Sequence, residues 1–407
     1  MAYVHQPPQK NKRHYKKPIF IVFGIASLAI AIFAVWSLFK ARDVAAPKTV
    51  PAQSQAIETD IKEISGKYLF SGTVVPARAV ENQARRSDGT IDYNQPFSKL
   101  STFNPDQYHE WVVDMECPVT DANIPYRQQV ENTIFNCRPE FLEPMSKYFT
   151  IMNLANNHVY DRGKDKFSQM QTYIQDANIQ YVGNQDPAVT KDVCEVMAVT
   201  VDIKKDDDSL ERGELPMAFC AWHYFEREPQ DGEFDVIREY ASVMPVIGLM
   251  QVGQEYQATA DDRQERVGRS IIDSGAEFVI GNSPHWVQNS DVYKDKLIFY
   301  STGNFIFDQL DAETNRGASV EAAMTIQYDD NVGKWLAFGN ECKQHYDSCL
   351  QKAKEQNLSK VNPAFIFDLV ASTTGYQELT QKAPEGVQAA VEQRANWQQT
   401  LEQLQNR

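Results

Sequence analysis

The sequence predicts an α/β domain held outside a membrane by a single N-terminal transmembrane helix. Three observations carry this: an uncharged run from Pro18 to Phe39, a switch from basic to acidic charge just after it, and eight short apolar runs alternating with helical patterns. Strands that alternate with helices build a sheet covered by helices, the α/β arrangement.

Residues 1–17 form a basic tail containing Lys10, Lys12, Arg13, Lys16 and Lys17. The run 18–39 is long enough, at about 1.5 Å per residue, to cross a hydrocarbon core of roughly 30 Å. The basic excess before it keeps the tail in the cytoplasm and puts the rest of the chain outside. A cleaved signal peptide ending near Val44-Ala45-Ala46 is the alternative, although the apolar run exceeds the usual length for one. Residues 40–65, rich in Ala, Pro, Gln and Thr, read as a stalk.

Seven of the 40 basic residues lie in 1–42 and none of the 55 acidic ones, which leaves −22 for the remainder. Such a charge argues against nucleic acid as a partner, and any anionic ligand requires a specific site. Six cysteines in an exported domain are compatible with disulfides. Cys342 with Cys349, Cys194 with Cys220 and Cys117 with Cys137 is one of the pairings six cysteines allow, and a zinc site using His345 ranks below the Cys342–Cys349 bridge.

A folded domain is expected over 66–340. Strand-length apolar runs occur at Tyr68 to Ser71, Trp111 to Met115, Phe149 to Leu154, Val193 to Val201, Met217 to Trp222, Val243 to Met250, Glu277 to Ile280 and Leu297 to Tyr300. Helical patterns are clearest at Lys164 to Asp176 and Asp261 to Ser274. Ala318 to Tyr328 and Lys334 to Phe338 alternate around Asp329-Asp330-Asn331, predicting a hairpin. Residues 341–407 are expected to be an extension, with a surface helix opening at Pro384.

In open α/β sheets, functional side chains collect at the carboxyl ends of strands. Four predicted strands end in polar clusters here: Glu116-Cys117-Pro118; Asn156-Asn157-His158 with Asp161 and Gly163; Gly281-Asn282-Ser283-Pro284-His285; and Ser301-Thr302-Gly303-Asn304. A carboxylate, an amide oxygen and two imidazoles on one edge suit zinc or manganese, while Asn and His in such places also serve simply as turn formers and caps. No Gly-x-Ser-x-Gly elbow, Walker loop or dinucleotide glycine pattern is present. Trp111, Trp222, Trp286 and Trp335 read as core, with a sugar-binding surface as the alternative.

Taken in order, several blocks resemble the bacterial capsule-synthesis proteins of the CapA type, tied to poly-γ-glutamate, over about Lys67 to Gln309. They are Phe70-Ser71-Gly72 with Arg78, Asp114-Met115-Glu116, Phe135 to Phe141, Asn153 to Gly163, Val182-Gly183, Gly253 with Glu255 and Tyr256, Gly275-Ala276 leading to Pro284-His285, and Tyr300 to Phe305. The resemblance implies a four-layer α/β/β/α sandwich of the metallo-dependent phosphatase type, with strand ends forming a metal-type pocket. Three blocks depart from the pattern: Thr73 follows Gly72 where Asp is usual, Gln251 replaces a His, and Asn282 and Ser283 stand where two His are usual.

The donors that remain, Glu116, Asn157, His158 and His285, suffice for one metal but not for the close pair that phosphoester hydrolysis commonly uses. Thr73, Gln251, Asn282 and Asn304 are then candidate contacts for amide or sugar groups. Arg78 is a bidentate partner for a carboxylate, or else an internal ion pair with Glu116 or Asp161. Three functions follow: a surface-polymer biosynthesis protein whose degenerate site binds or processes an anionic polymer; an active metal-dependent hydrolase with His158 and Arg78 catalytic; or a scaffold for membrane synthase subunits.

Overall fold

The computed structural model describes residues 61–406, apart from 187, 189–192, 226, 231, 310, 344–345 and 376–378. The predicted tail and transmembrane helix, most of the stalk, and His345 lie outside these residues. Among the described residues no helix is long and apolar enough to cross a membrane.

The chain folds as a mixed α/β structure organised on one long strand, β1 (Ile61–Val74). Its first half runs antiparallel to β12 (Arg316–Gln327) and β5 (Cys194–Lys205). Its second half turns parallel, pairing with β2 (Glu110–Met115) and β11 (Asn304–Ile306). From β2 the sheet continues through β3 (Ile151–Asn153) to β4 (Gln180–Val182), all parallel. From β5 it runs through β6 (Leu210–His223), β7 (Val246–Gln251), β8 (Phe278–Asn282) and β10 (Lys296–Phe299) to β9 (Ser290–Tyr293). Beyond β12 lie β13 (Ala364–Thr374) and β14 (Thr380–Lys382).

Successive residues of a strand face opposite sides, so a run that is apolar throughout must be covered on both faces. That is the case here. Tyr68, Phe70 and Val112 pack into one core with Trp222, Phe278 and Phe299, whereas Leu69, Trp111 and Val113 pack into a second with Phe149 and Phe305. Trp335 joins the first core, and only Trp286 of the four tryptophans singled out from the sequence is partly exposed.

All eight apolar runs fall on strands, and Lys164–Asp176 and Asp262–Asp273 are helices. The second has a capping box in which Asp261 accepts from the Gln264 amide while the Gln264 side chain bonds back to the Asp261 N–H. All three cysteine pairings are formed, Cys194 lying directly opposite Cys220 across β5 and β6.

Three expectations change. The sheet begins at Ile61, inside the predicted stalk. Residues 341–407 supply β13 and β14, so the sheet continues past residue 340, and Pro384 caps one of two terminal helices, Glu385–Ala395. The predicted hairpin is not formed: Asp330–Phe338 is a helix, and β12 pairs with β13 instead. Asp329 accepts from the Val332 N–H as its N-cap, and Val332, Trp335 and Phe338 bury one face at intervals of three. That spacing is helical, and it overrode the short alternation read from the sequence.

Candidate functional site

Parallel pairing brings the carboxyl ends of several strands into one row. Thr73 of β1 sits beside Asp114 of β2 and Asn304 of β11, Asp114 beside Asn153 of β3, and Gln251 of β7 beside Asn282 of β8. The strands approach closely at Gly72, where a Cβ would run into the Gly303 carbonyl.

These side chains bond chiefly to one another. Asn282 Nδ2 donates to Thr73 Oγ1 at 2.9 Å and to Asp114 Oδ2 at 2.9 Å, and Asn153 Nδ2 donates to Asp114 Oδ1 at 2.6 Å. Thr73 Oγ1 in turn donates to Glu116 Oε2 at 3.1 Å. His285 Nδ1 meets Asn304 Oδ1 at 2.8 Å, and its Nε2 lies 4.0 Å from Glu116 and 3.8 Å from Glu255. Asn304 continues through Gln309 to the Tyr256 hydroxyl. Burial pushes the Asp114 carboxyl up to about 6, against the pull of amide hydrogen bonds from Asn282 and Asn153.

The turn after β3 is fixed by Asn156, whose oxygen accepts from the N–H groups of His158 and Val159 and whose Nδ2 reaches the Met115 carbonyl. Asn157, the residue chosen from the sequence, is half-buried in the same turn. His158 stacks on Phe135 with ring centroids 4.0 Å apart and bonds Asp161 through Nδ1 at 2.8 Å. Burial works against its charged form, but the Asp161 hydrogen bond and the Glu116 carboxylate outweigh it and raise the pKa.

Arg78 does not offer a free guanidinium. It forms a two-point ion pair with Asp308 and lies against the rings of Phe135 and Phe307 at 4.7 and 5.3 Å. The internal pair weighed from the sequence exists, but with neither Glu116 nor Asp161. Arg78, Tyr256, Ser283 and His285 all have positive φ. Backbone strain costs on the order of 1–3 kcal/mol per residue and collects at functional sites.

The donor set does not fit a close pair of divalent ions. Metal ligands must aim lone pairs at the ion, yet Asn282 aims its N–H bonds at Asp114 and Thr73. Its own oxygen faces Ser301. Among the described residues no three His, Cys, Asp or Glu side chains are grouped closely enough to hold an ion. The site therefore brings Thr73, Glu116, Asn282, His285 and Asn304 together through hydrogen bonds and close contacts, with Gln251 beside Asn282 in strand register but its Nε2 making no hydrogen bond.

Asp308 is the part that sequence reasoning missed, while Asp114, Asn153 and Asn156 fell inside the blocks it quoted but were given no role at the site. Asp114 and Asn153 had a signal, being polar residues inside otherwise apolar runs.

Residues 67–309 match the family model described as "Bacterial capsule synthesis protein PGA_cap". The chain is 27% identical over 216 residues to "Capsule biosynthesis protein CapA" of Bacillus anthracis, a match covering 48% of this chain and about half, 49%, of that protein. It is 25% identical over 326 residues to "PGA biosynthesis protein CapA" of Bacillus subtilis (strain 168), covering 77% of this chain and 78% of that one. Among solved structures, a 5'-nucleotidase from Candida albicans aligns over 72% of this chain and 57% of its own, with a TM-score of 0.32 and 8% identity. Because the family model spans more than half of the sequence, the chain belongs to the PGA_cap family of bacterial capsule synthesis proteins.

Proposed function

We propose that this protein is a membrane-anchored component of capsule or surface-polymer biosynthesis, of the poly-γ-glutamate type. In this reading a metallophosphoesterase-type four-layer α/β/β/α sandwich has become a domain that binds an anionic polymer rather than a dinuclear hydrolase. The observation that carries it is the Asn282 amide, which gives both its N–H bonds to Thr73 and Asp114 where a hydrolase would need ligand lone pairs. The family membership supports a place in capsule synthesis, and the uncharged run 18–39 supports the anchor.

The test is the metal content of the full chain purified in detergent without chelator, beside Asn282→His and His158→Ala. The expected result is substoichiometric metal in the wild type and in His158→Ala. Stoichiometric metal in the wild type that disappears in His158→Ala overturns the binding reading in favour of a hydrolase. The spent donors also favour a scaffold that recruits synthase subunits. Replacing residues 18–39 by an unrelated apolar helix separates the two, because only the scaffold depends on that segment's side chains.

A further inference from the structure

Beside the strand-end network lies a cleft built from different chemistry. The short helix Arg78–Gln83 forms one wall, and the segment carrying the helix Tyr126–Asn132 and Arg138 forms the other. It encloses about 170 Å³. Arg85 and Arg138 both reach the same oxygen of Glu81, at 2.9 and 3.0 Å, so one carboxylate serves two guanidiniums. Arg138 also donates to Asn123 at 2.6 Å. The third arginine of the lining, Arg78, is already neutralised by Asp308.

The cleft is therefore left with a surplus positive charge in a region outside 1–42 that carries −22 overall. Glu81 is nearly buried and Arg138 only 21% exposed, so the surplus is poorly screened by water. Each guanidinium has five N–H bonds, more than these contacts use, in a plane that matches a carboxylate. At the rim, Tyr126 is 46% exposed and stands beside Ile124 and Pro125, which also line the cleft. The disulfide Cys117–Cys137 closes the segment that carries this wall.

We propose that this cleft binds a carboxylate of the anionic polymer, with Arg138 and Arg85 gripping the charge and Tyr126 and Ile124 receiving the methylenes of the chain. The proposal rests on the polymer-binding reading above and names the subsite for it. A γ-linked glutamate chain fits because it offers a carboxylate on every repeat and two apolar carbons between its amides.

The experiment is titration calorimetry on the full chain in detergent, with a γ-linked glutamate oligomer, the same oligomer with its carboxylates amidated, and inorganic phosphate. The wild type is expected to bind the charged oligomer and not the amidated one. Arg138→Gln weakens that binding by about tenfold or more, the scale of one charge-assisted contact. Glu81→Gln tightens it several-fold by removing the competing carboxylate, a gain that a misfolded variant does not give. Oligomer binding that survives Arg138→Gln, or fails to tighten in Glu81→Gln, overturns the cleft while leaving the polymer reading intact. Phosphate binding with the same variant dependence but no oligomer binding overturns the polymer as occupant. No binding of any probe overturns both.

Discussion

The strand-end edge and the arginine cleft sit side by side, yet they treat charge in opposite ways. At the edge, Asp114 and Glu116 are buried, Asn282, Asn153 and Thr73 meet them as neutral donors, and the nearby groups able to carry positive charge are imidazoles, with His285 Nε2 4.0 Å from Glu116. In the cleft, cations outnumber the carboxylate they share. A buried carboxylate already holding its hydrogen bonds has little to gain from a ligand, whereas an under-neutralised guanidinium has much to gain. On the proposed reading, the network holds the strand ends together and ligand recognition falls to the cleft. Their construction agrees: the network hangs on parallel strand register, and the cleft on connecting segments tied by a disulfide.

The comparison breaks most readily at Asn282. Asn282→Leu leaves Thr73 with one partner fewer and Asp114 with a buried, partly unsatisfied carboxylate, so urea unfolding should show a loss of about 4 kcal/mol. A loss under about 1 kcal/mol would mean that the network contributes little to holding the edge. The next effect belongs to the cleft wall. Replacing both Cys117 and Cys137 by Ala releases a segment with a sequence separation of 20, and should cost about 3 kcal/mol and weaken oligomer binding together. Arg138→Ala, by contrast, should change stability by about 1 kcal/mol or less, because Arg85 still holds the same Glu81 oxygen and no carboxylate is left unpaired. A thermal melt of that variant overlaying the wild type, with binding lost, is the expected signature of a recognition residue.

Much of this arrangement is legible in the sequence for a physical reason. Runs such as Trp111 to Met115 are apolar but for Asp114 because both faces of the strand are covered, and polar residues at or just past their ends mark the edge where parallel strands stop. What stayed hidden depends on distant partners. Arg78 was recognised as important, but its partner Asp308 lies 230 residues on, and no spacing rule links them. The helix Asp330–Phe338 is decided by one cap and three buried residues, which a five-residue alternation imitates. Asn282 reads as a lost ligand from the sequence; only its 2.9 Å contacts with Thr73 and Asp114 show what it gained.

The smallest effect tests whether the contrast concerns ligand chemistry or burial alone, and Glu110 at the opposite end of β2 is the control. Like Asp114 it is a buried carboxylate held by neutral donors, Thr200 N–H giving a hydrogen bond of 2.6 Å. Burial raises its pKa, with hydrogen bonds from Thr150 and Thr200 pulling the other way. A raised native pKa means that the folded state binds more protons than the unfolded one between the two values. Glu110 therefore detracts from stability above its native pKa, and that penalty is relieved as pH falls through it toward the ordinary glutamate range. Glu110→Gln keeps an oxygen for the Thr200 N–H and removes the charge. Urea midpoints should lie above the wild type at neutral pH, with the gap narrowing as pH falls toward the ordinary glutamate range, the difference between proteins cancelling other carboxylates. Binding of the glutamate oligomer should be unchanged throughout, since Glu110 lines no part of the cleft. If that variant weakens binding as much as Arg138→Gln, a perturbation at the far end of β2 is enough to disturb the cleft, and the two regions are not separate in function.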